Sequence, residues 1–347
     1  MHFRNITPLR GCNASVLKPS PRLRIGLVTC AAEKLRDYFP TAAEPELVPT
    51  EPPFTPDDQR LVGALRRRGH HAAAVVWGVD VYALREQFDV IVVRSPWDYM
   101  DSDEQRQLFL TWLGDLHQHG PRVENDAAVM LWLMDKRYLL DFEQAGVSIV
   151  PTEAVGRDTS LDLVERHDTH GPLIVKHAIS AAGAGLVFLN TRAEAAKFQS
   201  DFDERRRSSV QLVQPFLPEI KSHGEWSLVY LGGEYSHAVH KLPGAGGILV
   251  HAEQGGSLRF ADPPAIVRQA GDLVAVRCRD AFAVRDTVAP APGAFPSLYL
   301  RIDIIETAAG ALLSECEGVE PELFFRARAG SEVRCCELIE SRCAATK

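Results

Sequence analysis

Apolar residues in the first third of the chain fall into short unbroken runs, separated by stretches in which they recur every three or four positions. LRIGLVTC (Leu23 to Cys30) is a run of the buried, parallel-sheet kind. Beyond a polar, proline-rich loop, DDQRLVGALRRRGH (Asp57 to His70) has the period of an amphipathic helix, and HAAAVVWG reads as a second strand. FDVIVVRSPWDYM predicts a third strand ending in a polar elbow, and DEQRQLFLTWLGDLHQHG a helix stopped by Gly120. Strand alternating with helix predicts an open α/β lobe over residues 23–125.

LWLMDKRYLLDFEQAG then reads as one helix with Lys136 near its start, closing at Gly146. PLIVKHAIS and VQLVQPFL as strands, the small-residue turn AAGAG and the helix TRAEAAKFQSDFDERRR predict a lid lobe within residues 126–215. Residues 216–328 are strand-rich: EWSLVYLGGEYSHAVHKL, a helix around 264–284, then SLYLRIDIIETAAGALLSECEGVEP. This predicts an α+β C-terminal lobe. Residues 1–22 hold Arg4, Arg10, Lys18 and Arg22 and no acid, as a transit peptide would. Pro8, Pro19 and Pro21 spoil an amphipathic helix there, so a flexible tail is expected, and residues 329–347 read as a second appendage.

Composition narrows the function. With 46% hydrophobic residues, the 347-residue chain can bury a large core in two or three lobes. A formal net charge of −8 argues against a nucleic-acid or anionic-membrane partner, but basic residues gathered in one cleft could still hold a small anion. The seven cysteines show no CxxC spacing and no apolar signal region opens the chain, so reduced thiols in a cytoplasmic protein are expected. No GxGxxG follows the first strand and no GxxxxGK[ST] occurs, which removes the usual dinucleotide and P-loop readings.

Chemistry concentrates near the C-terminus. YLRIDII and ALLSECE flank the turn-forming ETAAG; a hairpin centred near Ala309 sets Asp303 across from Glu315. Arg301, Asp303, Glu315 and Glu317 then share one face, because alternate strand residues point the same way. Three acids that would otherwise repel suit Mg²⁺, which takes carboxylates together with substrate phosphates. A solvated face with an arginine salt bridge is the alternative. Lys176 inside LIVKHA and Lys136 at a helix start are both awkward for a cation unless an anion compensates. The loop SAAGAG, with Ser180, Gly183 and Gly185, could drape backbone N–H groups over phosphates, although such loops are usually plain turns.

In order, MDKRYLL, PLIVKHAISAAGAG, LVQPFLPEI, GEWSLVY, RIDII and SECEGVEPELF resemble the ATP-grasp ligases over residues 90–325. RSPWDY and SHAVHK sharpen the likeness toward the O-ureido-D-serine cyclo-ligase relatives of cycloserine biosynthesis. The resemblance implies an ATP-grasp fold and an ADP-forming carboxylate–amine ligase working through an acyl phosphate, plausibly by cyclisation in antibiotic biosynthesis. It implies Lys136 and Lys176 on ATP phosphates beneath the Ser180–Gly185 loop, Gln214, Phe216 and Leu217 as the adenine hinge, and Glu225 at the ribose. It implies Asp303, Glu315 and Glu317 as Mg²⁺ ligands and Arg301 beside the acyl-phosphate oxygens. Substrate contacts are expected from Arg94, Ser95 and Asp98, with the capped-turn reading as alternative.

One loop departs from the pattern. Relatives carry an arginine where KLPGAGGILVHAEQGG has Leu249, so Lys241 or His251 is expected to take its place. His237 and His240 stand an odd number of residues apart on a strand and so face opposite ways, which disfavours a shared Zn²⁺. A small amino-acid substrate and a homodimer are expected. The competing readings are an intermolecular amino-acid ligase and a non-catalytic nucleotide-binding homologue.

Overall fold

The computed structural model describes residues 22–31, 33–34, 54–180, 183–244, 247, 256–283 and 295–344. Its first lobe is a parallel sheet of β1 (Arg24–Thr29), β2 (His71–Val76), β3 (Val90–Ser95) and β4 (Arg122–Glu124) in the order β2-β1-β3-β4. Helices α1 (Pro56–Arg67), α2 (Val81–Gln87) and α3 (Asp103–His119) connect these strands. Local chemistry sets their ends. The Thr55 hydroxyl accepts from the Asp58 amide and the Ser102 hydroxyl from the Gln105 amide, with acids in each first turn facing the positive helix pole. β3 has no exposed residue and runs into a 3₁₀ turn, Trp97–Met100, the predicted elbow.

The predicted helix across residues 131–146 is two helices, α4 (Ala127–Met134) and α5 (Tyr138–Gln144). Asp135 turns extended between them, and the Lys136 amide donates out of the helix to the Ala178 carbonyl at 2.8 Å. Both helices pack on the C-terminal sheet through Val129, Leu133, Tyr138 and Phe142, which associates them with that lobe's core. The lid sheet begins later. It comprises β5 (Glu153–Val155), β6 (Leu173–His177), β7 (Val187–Leu189) and β8 (Gln211–Pro215), antiparallel in the order β5-β8-β6-β7. With α6 (Leu163–His170) and α7 (Arg192–Ser208) it encloses a small core of its own around Leu163, Val175 and Phe202.

After a helical turn, α8 (Glu219–Ser222), the C-terminal sheet is built from β9 (Glu225–Leu231), β10 (Glu234–Leu242), β11 (Ser257–Phe260), β12 (Tyr299–Thr307) and β13 (Gly310–Glu317). Its order is β11-β10-β9-β12-β13, antiparallel throughout. Helix α9 (Ala265–Ala283) covers the face that carries Leu228, Ile302 and Ile304.

Residues 329–347 are not an appendage throughout: Ser331–Ala344 form helix α10. Cys335, Cys336 and Ile339 are fully buried in a core shared with Leu61 and Leu65 of α1 and with Val229 and Tyr299 of the C-terminal sheet. The charged surface of SEVRCCELIESRCA conceals an apolar stripe at helical spacing, and that stripe bridges two lobes. Among the described residues no helix is long and apolar enough to cross a membrane.

Candidate active site

β12 and β13 bring the acids together, with one irregularity that the spacing did not reveal. Thr307 pairs with Gly310, so the turn holds only Ala308 and Ala309, and Ile304 lies opposite Leu313. Continued unbroken, that register would set Asp303 against Ser314. A bulge in β13, opposite the Asp303–Ile304 step of β12, absorbs Ser314, and Asp303 pairs with Glu315, Arg301 with Glu317. Leu313 and Cys316 can therefore both enter the core while Glu315 and Glu317 occupy the other face.

On that face carboxylate oxygens of Asp303, Glu315 and Glu317 lie within 4.8 Å of one another. Cations hold them there. The Arg301 guanidinium donates to Asp303 at 2.9–3.2 Å and also to Glu317. Lys136 pairs with Glu315 at 2.8 Å, and Lys241 meets Glu225 at 2.7 Å and Asp303 at 3.5 Å. The Ser227 hydroxyl donates to Asp303 at 2.6 Å. Gly224 makes the Lys241–Glu225 pairing possible: its φ is +70°, and a Cβ there would stand 2.1 Å from the Lys241 carbonyl oxygen.

Electrostatics divides the three acids. Burial opposes ionisation of Asp303, but Arg301 and Lys241 hold it well below the usual carboxylate range. Burial likewise opposes ionisation of Glu315, and Lys136 and Lys176 outweigh it. Glu317 goes the other way: burial, with repulsion from Glu315 and Asp303, pushes it up to about 8 despite Arg301. A divalent cation among the three would relieve that repulsion, and an all-oxygen donor set with an open side fits Mg²⁺.

The lid contributes Lys176, whose ammonium is depressed by burial and by Lys136; among the described residues no carboxylate lies within 4.0 Å of it. The Lys136 ammonium also donates to the Ser180 carbonyl, drawing the start of the glycine loop toward β13. Gly183 and Gly185 both have φ of +72°; Gly185 rests on His177, and Arg205 donates to its carbonyl at 3.2 Å. In the hinge region Gln214 is buried and donates to the Thr152 hydroxyl at 2.8 Å. The Phe216 amide is already used by the Pro172 carbonyl, its ring lies against Phe188, and the Leu217 carbonyl starts α8.

The elbow residues are engaged within the protein rather than presented at this face. Arg94 is fully buried, donating to Asp58 at 2.9 Å and to the Pro321 carbonyl at 2.9 Å. The Ser95 hydroxyl donates to the same Asp58, and Asp98 accepts from the Trp77 indole and the Ala31 amide. These contacts fit the capped-turn alternative, in which Arg94 ties the first lobe to residues 321–325. His237 is a core residue on the Leu323 carbonyl. His251 and Leu249 lie outside the described residues. Sequence reasoning missed Ser227 and the Lys241–Glu225 pair, although Glu225 and Ser227 alternate in EWSLV as same-face residues should.

Comparisons with known proteins agree with this fold. The model of the N-terminal domain of D-cycloserine synthetase DcsG matches residues 25–125. The cycloserine biosynthesis protein DcsG of Streptomyces lavendulae is 26% identical over 298 residues, 78% of this chain and 88% of that protein. The crystal structure of D-cycloserine synthetase DcsG superposes with a TM-score of 0.71 at 20% identity, covering 92% of this chain and 99% of that one. The D-alanine–D-alanine ligase of Bacillus anthracis complexed with ATP gives 0.60 at 12%, covering 93% and 98%. The fold is that of the ATP-grasp superfamily, whose matched members are ligases that form C–N bonds. Within it, the chain resembles relatives near cycloserine biosynthesis.

Proposed function

We propose that this protein is an ADP-forming ligase that activates the carboxylate of a small amino acid as an acyl phosphate and joins it to an amine, by cyclisation when both groups belong to one molecule. The observation that carries the reading is the convergence of Lys136, Lys241 and Arg301 on Asp303, Glu315 and Glu317, with Lys176 facing them from the lid.

Phosphoryl transfer asks the protein for charge neutralisation and positioning rather than covalent help. Lys136 and Lys176 bind the ATP phosphates, and the Gly183–Gly185 loop closes over them and keeps water out. Asp303, Glu315 and Glu317 hold Mg²⁺, which supplies charge screening between phosphate and carboxylate when bound. A substrate carboxylate oxygen attacks the γ-phosphorus and the bond to the β-phosphate oxygen breaks, giving acyl phosphate and ADP. The amine then adds to the acyl carbon, where Arg301 stabilises the oxyanion. Collapse expels inorganic phosphate and the nitrogen loses its proton. Holding amine and acyl phosphate within one folded substrate supplies much of the rate. Lys241, fixed by Glu225 and Asp303, keeps Asp303 ionised and would take over the role of the relatives' loop arginine.

The test is ADP release from Mg-ATP with a panel of small amino acids including O-ureido-D-serine and diamino acids, repeated with Glu315→Gln. Substrate-dependent ADP that falls at least about 100-fold in the variant supports the reading. AMP in place of ADP contradicts it. Product mass separates cyclisation, loss of water from one substrate, from joining of two.

A further inference from the structure

Glu320 lies outside the metal set yet belongs to the same crevice. Its carboxylate is partly buried, and the charges of Lys136, Glu315 and Arg301 all act on it. The segment that carries it is pinned to the first lobe. The Trp97 indole donates to the Glu320 carbonyl at 3.2 Å, Arg94 to the Pro321 carbonyl, and Asp57 accepts from the Leu323, Phe324 and Phe325 amides at 2.6–3.0 Å. Glu320 therefore sits beyond the C-terminal end of β3, where open α/β sheets place their ligands, with the metal face on its other side.

Its partnering differs from that of every other acid there. Among the described residues Glu315 is matched by Lys136, Glu317 by Arg301, Asp303 by Arg301 and Lys241, and Glu225 by Lys241. Glu320 has only a neutral phenol: the Tyr99 hydroxyl donates to its Oε1 at 2.6 Å. Tyr99 is buried and stacked on Phe109, so it fixes the carboxylate rigidly without cancelling its charge. A half-buried carboxylate with no cation within ion-pair distance among the described residues is costly unless a ligand brings one.

We propose that Glu320, oriented by Tyr99, is the substrate-recognition residue for a cationic ammonium group, so that the carboxylic substrate is an amino acid with a free amine distinct from the one that is acylated. This rests on the ligase reading above. An ammonium offers three donors to the carboxylate's remaining acceptor sites, and Tyr99 acts as a positioning residue.

The test compares full-length wild type, Glu320→Gln, Glu320→Asp and Tyr99→Phe on O-ureido-D-serine, D-alanine and 2,3-diaminopropionate, each beside its α-N-acetyl derivative. Wild type should prefer the free ammonium, and Glu320→Gln should shrink that preference about 10- to 100-fold while the KM for ATP holds. Glu320→Asp should restore part of it, and Tyr99→Phe should raise the amino-acid KM more than it lowers kcat. An unchanged preference in Glu320→Gln overturns the proposal, as does a raised Mg²⁺ requirement with the preference intact, which would make Glu320 a metal ligand. If wild type releases no ADP, the ligase reading fails on its own. Calorimetry of the same compounds on protein loaded with Mg²⁺ and a non-hydrolysable ATP analogue then decides the matter. Preference for the ammonium that is lost in Glu320→Gln supports the proposal; equal binding of both forms, or no binding of the ammonium compounds to wild type, overturns it.

Discussion

Replacing Asp57 tests how the two lobes are joined. Asp57 is 3% exposed at the start of α1, and it accepts from three successive amides, Leu323, Phe324 and Phe325, at 2.6, 2.8 and 3.0 Å. Asp57→Ala removes the acceptor and leaves three buried N–H groups without one. At about 1–3 kcal/mol for each stranded donor, less whatever water enters the gap, the loss should be about 3–5 kcal/mol. Asp57→Asn keeps one oxygen of the same shape and gives up the charge, so about 1–2 kcal/mol is expected. Urea unfolding followed by tryptophan fluorescence and by far-UV circular dichroism reads both. The core around α1 also holds Tyr299 and α10, so the transition affected should include the C-terminal sheet. Within the folded baseline, Asp57→Asn should raise the amino-acid KM and leave that for ATP unchanged, because only residues 320–325 are loosened. A loss under about 1 kcal/mol in Asp57→Ala would refute the reasoning, since it would mean that these amides find water readily.

Three further outcomes are expected. Arg68 and His70 pair with Glu340 on α10 at 2.7 Å and hold its carboxyl down to about 2. A depressed carboxylate stabilises the fold above its unfolded pKa near 4.5 and ceases to do so as pH falls through the folded value. Wild type should therefore exceed Glu340→Gln by about 1–2 kcal/mol at pH 7 after solvent screening, with the gap closing between pH 4.5 and 2 in thermal melts. Deleting Ser314 removes the bulge residue and lets the unbroken register set Glu315 across from Asp303, so Mg²⁺-dependent ADP release should persist; its loss would show that the bulge itself shapes the face. Gly224→Ala forces a Cβ against the Lys241 carbonyl at positive φ, so a destabilisation of about 2 kcal/mol or more is expected by urea unfolding, together with a weakened response to ATP.

How much of this was legible in the sequence differs from residue to residue. Period-two alternation and the turn in ETAAG were enough to pair Asp303 with Glu315, because side-chain direction in a strand is a local property. The pairing nevertheless holds by way of a bulge that no local pattern announces: Leu313 and Cys316 are both drawn into the core. The break at Asp135 was invisible for the same reason, since Lys136 leaves the helix to bond Ala178, a partner 42 residues away that only the fold supplies. The Arg94–Asp58 bond is not legible locally, because arginine at a strand end suits a ligand as well as a buried carboxylate, and Asp58 lies 36 residues upstream. α10 was read as a tail because its cysteines were weighed as thiols, not as the small apolar residues that they are when buried.

The most direct test of the acyl-phosphate reading is isotope transfer. The amino acid that supports ADP release is labelled with ¹⁸O in its carboxylate and turned over with Mg-ATP, and the released phosphate is weighed by mass spectrometry. Attack of the carboxylate on the γ-phosphorus followed by amine addition should leave one ¹⁸O in each phosphate formed. Unlabelled phosphate beside labelled AMP, or ADP formation with no label transferred, would contradict it.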